Sequence, residues 1–115
     1  MNVFRLGNLK LASGLESKWK IECDSFDDDD WATLAWLISE RIKFSSVIGV
    51  PRGGLILAEM LEEYISEGPR LVVDDVFTTG KSIKSLMKED DVGFVVFARN
   101  TPPDNIKYLF LLSSI

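Results

Sequence analysis

Leu71-Val72-Val73-Asp74-Asp75-Val76-Phe77-Thr78-Thr79-Gly80-Lys81-Ser82 is the stretch on which the reading of this chain turns. Leu71, Val72 and Val73 read as a strand buried on both faces. Asp74 and Asp75 close it. Burying an unpaired carboxylate is costly, so the pair requires hydroxyl, cation or water partners. Three hydroxyls, on Thr78, Thr79 and Ser82, then surround Gly80 at the start of a short helix. Loop N–H groups there suit a terminal phosphate. Carboxylates for vicinal hydroxyls beside a phosphate cradle describe a ribose 5-phosphate site. Two rival motifs fail on single positions. A P-loop needs glycine where Asp75 stands, and a phosphatase-type Asp-x-Asp-x-Thr needs aspartate where Val76 stands.

Upstream, the apolar run Val47-Ile48-Gly49-Val50 ends in Pro51-Arg52-Gly53-Gly54, a strand entering a tight loop. Adjacent glycines let the backbone approach a ligand, and Arg52 offers a charge-assisted hydrogen bond to phosphate. Helical spacing predicts one helix from Trp31 to Ile42 with Trp31, Leu34, Ala35, Ile38 and Ile42 inward, and a second with Leu57, Leu61, Tyr64 and Ile65 on one face. Asp27-Asp28-Asp29-Asp30 precedes the first. It reads as an N-cap with acid in the first turn, the alternative being a divalent-metal cluster. Ile83, Leu86 and Met87 face inward on a helix over 81–88. Strands are expected over 92–98 and 106–112, parted by the turn-rich Thr101-Pro102-Pro103-Asp104-Asn105. Residues 8–26, with alternation in Trp19-Lys20-Ile21-Glu22-Cys23, predict short strands or an extended arm. Alternating strands and helices imply an α/β fold, a mostly parallel sheet flanked by helices. Ligands of such sheets bind at the C-terminal strand ends, where both unusual loops lie.

The 115 residues make one domain, and 46% hydrophobic with 27% charged residues is the balance of an ordinary globular protein. Thirteen basic against eighteen acidic side chains leave −5, which argues against a nucleic-acid binder. Cys23 is the single cysteine and there is no histidine, so an intrachain disulfide and a cysteine-based zinc site are excluded, and so is a histidine base. Cys23 reads as a small buried hydrophobe. No apolar run reaches the roughly 20 residues of a membrane span, and residues 1–5 lack the pattern of a signal peptide. A cytoplasmic location is expected.

At these residues the chain resembles the type I phosphoribosyltransferases. The stretch 71–82 is similar to their signature for phosphoribosyl pyrophosphate (PRPP), and Val50-Pro51-Arg52-Gly53-Gly54 to their pyrophosphate loop. Leu11-Ala12-Ser13-Gly14-Leu15-Glu16-Ser17, followed by Lys20-Ile21-Glu22-Cys23-Asp24, resembles the arm and hood of the orotate branch, making about 1–26 an arm on a single domain over 1–115. The resemblance implies transfer of phosphoribosyl to a pyrimidine base, orotate, with release of pyrophosphate. It gives Asp74 and Asp75 the ribose hydroxyls and Mg²⁺. Val76, Phe77, Thr78, Thr79, Gly80, Lys81 and Ser82 take the 5-phosphate. Pro51, Arg52, Gly53 and Gly54 take the pyrophosphate, and Arg99, Ser13 and Gly14 the base. It also implies a homodimer.

One departure accompanies the match. Enzymes of this kind carry a further strand and a long mobile loop between the two ligand loops, whereas only Tyr64 to Arg70 separates the second helix from the signature strand here. A minimal fold without the usual lid is expected. Ala12 also stands where orotate enzymes tend to have lysine. A catalytically silent protein that binds PRPP or a nucleotide is the alternative function. A purine-directed transferase is a third, since Arg52-Gly53-Gly54 occurs in that branch too.

Overall fold

The computed structural model describes residues 4–10, 16–21 and 23–112. Strands β1 (Phe4–Lys10) and β2 (Glu16–Ile21) form an antiparallel hairpin, with Phe4 opposite Ile21 and an irregularity between Leu6 and Leu9. The strands expected within 8–26 are thus present, and the first begins earlier than its alternation suggested. A 3-10 turn over Cys23–Ser25 leads into α1 (Asp28–Ser39). Then follow β3 (Ser46–Gly49), α2 (Leu55–Leu61), a 3-10 turn over Glu62–Tyr64, β4 (Arg70–Phe77), α3 (Lys81–Leu86), β5 (Val92–Ala98) and β6 (Ile106–Leu111). β3, β4, β5 and β6 lie in that order in one sheet, and every neighbouring pair is parallel.

The acidic run before α1 is a cap. Asp27 Oδ1 accepts from the Asp30 N–H at 2.9 Å, and Asp30 Oδ2 accepts from the Asp27 N–H at 3.0 Å. This reciprocal capping box satisfies two otherwise orphan donors, and Asp28 and Asp29 add negative charge at the positive helix end. No group of three metal-ligating side chains occurs among the described residues, so the metal-cluster alternative has no support. α1 stops at Ser39, short of Ile42, which packs against the core from the following turn.

The sheet divides the core into two layers. Leu71, Val73, Phe94 and Val96 face α1 and α2, meeting Leu34, Ala35, Ile38, Leu57 and Leu61. Val72, Val95 and Ile106 face α3 and meet Ile83. Ile65, expected on the inward face of the second helix, lies beyond it and is exposed, because α2 ends at Leu61 and the chain turns away.

Since α2 and α3 lie on opposite faces while β3, β4 and β5 step across the sheet in one direction, the two crossovers have opposite hands. One is therefore left-handed, which β-α-β units almost never are. α2 connects straight to β4. No strand lies between α2 and β4. The sheet thus has the minimal form expected, with no lid between the two ligand loops.

The shortened connection delivers the chain to β4 at Arg70, which is pinned. Its Nε and Nη2 donate to both oxygens of Asp91, at 3.1 and 2.6 Å, and Nη2 also donates to the Leu86 carbonyl at 3.2 Å. Asp91, whose side chain is 8% exposed, further accepts from the Lys88 N–H at 2.7 Å. The fork joins the start of β4 to the end of α3 and the start of β5. Hydrogen bonds from Arg70 hold the Asp91 carboxyl below its ordinary range. Asp91→Asn is therefore expected to lower the thermal midpoint at neutral pH. A carboxylate with a depressed folded pKa stabilises above its ordinary value and loses that contribution as pH falls through the folded one. The gap between wild type and variant should accordingly close below about pH 4 in melts followed by circular dichroism.

Candidate functional site

The two unusual loops converge at the C-terminal ends of β3 and β4. Gly49 pairs with Val73, and the Val50 N–H donates to the Val73 carbonyl at 2.8 Å, so the first loop starts alongside the middle of β4. Residues 51–54 close on themselves through Gly54 N–H to the Val50 carbonyl at 2.8 Å and Leu55 N–H to the Arg52 carbonyl at 3.2 Å. The Pro51–Arg52 peptide is cis. Gly53 lies directly against Asp75: a Cβ added there would fall 2.6 Å from Asp75 Oδ1. The predicted pyrophosphate loop and the predicted ribose carboxylate are thus in contact, and a larger residue at 53 would have to displace the Asp75 carboxyl.

β4 runs to Phe77, longer than the Leu71–Val73 segment expected, because pairing with β5 continues through Phe77 opposite Ala98. Asp74 and Asp75 are strand residues, and so are Val76 and Phe77. Alternation between the faces slips by one at the acidic pair. Val72 packs on the α3 side, yet Val76 packs on the α1 and α2 side and Phe77 on the α3 side. The strand therefore bends where its carboxyls are.

Asp74 is the buried charged residue of the described core, at 9% exposure. Its Oδ1 accepts from the Asp75 N–H at 2.8 Å, and Asp75 Oδ1 accepts from the Val76 N–H at 2.7 Å. Burial, then the hydrogen bond and charge of Asp75, push Asp74 up to about 8. At neutral pH the Asp74 carboxyl is therefore held mostly in its protonated form. Cys23, 6% exposed, lies near the pair. Burial first, and the negative charge of Asp75 next, push the thiol far up, so Cys23 is no nucleophile. The sequence reading had it buried and inert, which it is, but missed its nearness to Asp75. Nothing in the sequence flags that proximity, since α1, β3 and α2 separate the two residues.

The second loop turns at Gly80, whose φ of 81° favours glycine. A Cβ there would also lie 2.8 Å from Phe77 Cζ. Phe77 is buried beneath the turn, so its ring supports the loop from below. Thr79 Oγ1 accepts from the Lys81 N–H at 3.4 Å, and Thr79, Lys81 and Ser82 are exposed while Thr78 is half-buried. The loop after β5 braces this turn: Arg99 N–H donates to the Phe77 carbonyl at 2.9 Å, and Asn100 Nδ2 to the Thr78 carbonyl at 2.9 Å. Arg99 is half-buried, and burial lowers its pKa from the ordinary value. Arg52 is exposed on the first loop. Ser13 and Gly14 lie outside the described residues.

The donor set fits a magnesium ion that arrives with its substrate. Mg²⁺ is held by one or two carboxylates plus substrate phosphates, without a dedicated protein cage. Asp74 and Asp75 offer such a pair, and among the described residues no group of three histidine, cysteine, aspartate or glutamate side chains is placed to hold a metal by itself.

This is a type I phosphoribosyltransferase fold. Among solved structures, the chain is similar to the orotate phosphoribosyltransferase of Aeropyrum pernix, with 24% identity and a TM-score of 0.71 over 97% of this chain and 90% of that one. The orotate phosphoribosyltransferase of Mycobacterium tuberculosis in complex with Fe(III) dicitrate gives 18% identity and 0.70, over 96% and 90%. The same enzyme in complex with PRPP gives 19% and 0.63, over 92% and 88%. No family model and no curated protein matches the sequence.

Two outcomes follow from the buried acids. An acid whose folded pKa is raised destabilises the native state progressively as pH climbs from its ordinary value to the folded one. Asp74→Asn should therefore melt higher than wild type by a margin that grows from about pH 4 and levels above about pH 8. Cys23 should react with a thiol reagent at least ~100-fold slower in the native protein than in denaturant.

Proposed function

We propose that the protein is an orotate-type phosphoribosyltransferase that joins a nitrogen of orotate to C1 of PRPP and displaces pyrophosphate. The observation that carries this reading is the lodging of the Asp75 carboxyl against the Gly53 backbone. It brings a ribose-binding acid to the loop suited to the leaving group. The likeness to a solved enzyme in complex with PRPP supports the same ligand.

In this reading Asp74 and Asp75 accept hydrogen bonds from the ribose hydroxyls. Thr78, Thr79, Gly80, Lys81 and Ser82 hold the 5-phosphate on the turn supported by Phe77 at the end of β4, with Val76 continuing the strand. Arg52 and the Gly53 N–H take the departing pyrophosphate, Pro51 and Gly54 setting the loop's course. Arg99 meets the base, with Ser13 and Gly14 contributing from the arm. Asp74 and Asp75 would also hold Mg²⁺, which when bound supplies positive charge to the pyrophosphate. Ligand hydroxyls and cations favour an ionised carboxylate, so binding would lower the raised pKa of Asp74. The transition state resembles an oxocarbenium ion, so this chain acts mainly by positioning the base and stabilising departing charge. The domain spans 1–115 with about 1–26 as its arm, and works as a cytoplasmic homodimer.

The direct run from α2 into β4 favours a second reading, a catalytically silent PRPP-binding protein. A lid excludes water and completes such sites, and no strand or lid separates the two ligand loops.

Pyrophosphate release from PRPP and Mg²⁺, assayed in parallel with orotate, uracil, hypoxanthine and guanine, tests both. Release with orotate alone is the expected result, at a rate about 10²–10³ below that of enzymes with a complete set of transition-state donors. Absence of release with every base, in folded protein that binds PRPP, selects the second reading. Asp75→Asn is expected to weaken PRPP binding about tenfold or more in a calorimetric titration. Unchanged affinity would remove Asp75 from the site.

A further inference from the structure

Lys84 lies one helical turn beyond the phosphate loop, and its side chain runs back over that loop. Side chains on a helix lean toward its N-terminus, so residue 84 covers residue 80. Lys84 Cε would lie 3.1 Å from a Cβ on Gly80, and its Nζ sits 5.9 Å from the centroid of the Phe77 ring, whose edge lies under the same glycine. The glycine turn is thus covered by an aliphatic stem that ends in an ammonium group, parked on an aromatic face. Lys84 is exposed, and no carboxylate among the described residues forms an ion pair with it within 4 Å. Lys88 lies two residues past the end of α3.

We infer that Lys84 is an additional phosphate ligand: its ammonium leaves the Phe77 ring and pairs with the 5-phosphate held by 78–82. This rests on the ribose-phosphate reading of that loop and adds a residue to it. The physical reason lies in the charge balance. The site contains Asp74 and Asp75 in a protein of net charge −5, and the ligand is itself a polyanion. Loop N–H groups supply only partial charges, and the lid that would bring further cations is missing. A lysine with a flexible stem over the loop supplies a full charge at short range. The Phe77 ring holds that charge in place before the ligand arrives, which limits the side-chain entropy lost on binding.

Calorimetric titrations of ribose 5-phosphate and of pyrophosphate, both with Mg²⁺, into wild type, Lys84→Met, Lys84→Arg and Lys88→Met test this, with thermal melts confirming the fold of each variant. The expected result is about a tenfold loss of ribose 5-phosphate affinity in Lys84→Met alone, with a shallower salt dependence. Lys84→Arg should retain most of the affinity, and pyrophosphate binding should be unchanged in all. Ribose 5-phosphate affinity equal to wild type in Lys84→Met would overturn the inference while leaving the ribose-phosphate site standing. Equal losses in Lys84→Met and Lys88→Met, or a parallel loss for pyrophosphate, would reduce the effect to general charge and overturn it too. A wild type that binds no ribose 5-phosphate would overturn the reading of the loop as well.

Discussion

Two adjacent carboxyls at the buried end of β4 are the constraint around which this domain is arranged. An acid at the exposure of Asp74 is stable only with its proton retained or its charge met. The chain meets the demand locally, with the N–H groups of Asp75 and Val76. The bend in β4, the register of β3 and the glycine at 53 are all arranged around this pair. Apolar residues of similar size would pack more stably there.

The opposite hands of the two crossovers bear on how such a site survives when a lid and its strand are absent. A left-handed unit is unfavourable because strand twist and helix do not pack back onto the sheet easily. Here the short connection leaves β3 as a four-residue edge strand, and α2 keeps its place on the α1 side through Leu57 and Leu61. Arg70 then anchors the start of β4 from the opposite flank through Asp91. Both loops are retained at the same end of the sheet, since each follows its own strand and neither depends on the missing segment for its course.

The aromatic residues play a supporting part. Phe77 fills the space beneath the glycine turn, and Phe97 stacks between Phe26 and Phe110, with ring centroids 6.2 and 5.5 Å away. Phe26 in turn meets Trp31 edge-on at 5.2 Å. This row joins the segment ahead of α1 to the outer strand β6, so the element bearing Cys23 is held by ring packing. It is placed against Asp75 by that packing and by no feature of its own sequence.

The sequence by itself determined the elements and the loops that carry chemistry. Apolar period, β-branched runs and glycine pairs are local signals, and the sheet class, the helix faces, the Asp27–Asp30 cap and the convergence of 51–54 with 74–82 followed from them. It placed the end of β4 too early, because aspartates disfavour strands in isolation and pairing with β5 overrides that preference. Tertiary structure alone decided the rest: the seat of Asp75 on Gly53, the nearness of Cys23 to Asp75, the raised pKa of Asp74, and the fold of Lys84 over Gly80. Each depends on distances between residues far apart in the chain or on the direction of a side chain in a particular turn. Burial and mutual charge, which set the behaviour of ionisable groups, exist only once the layers have closed.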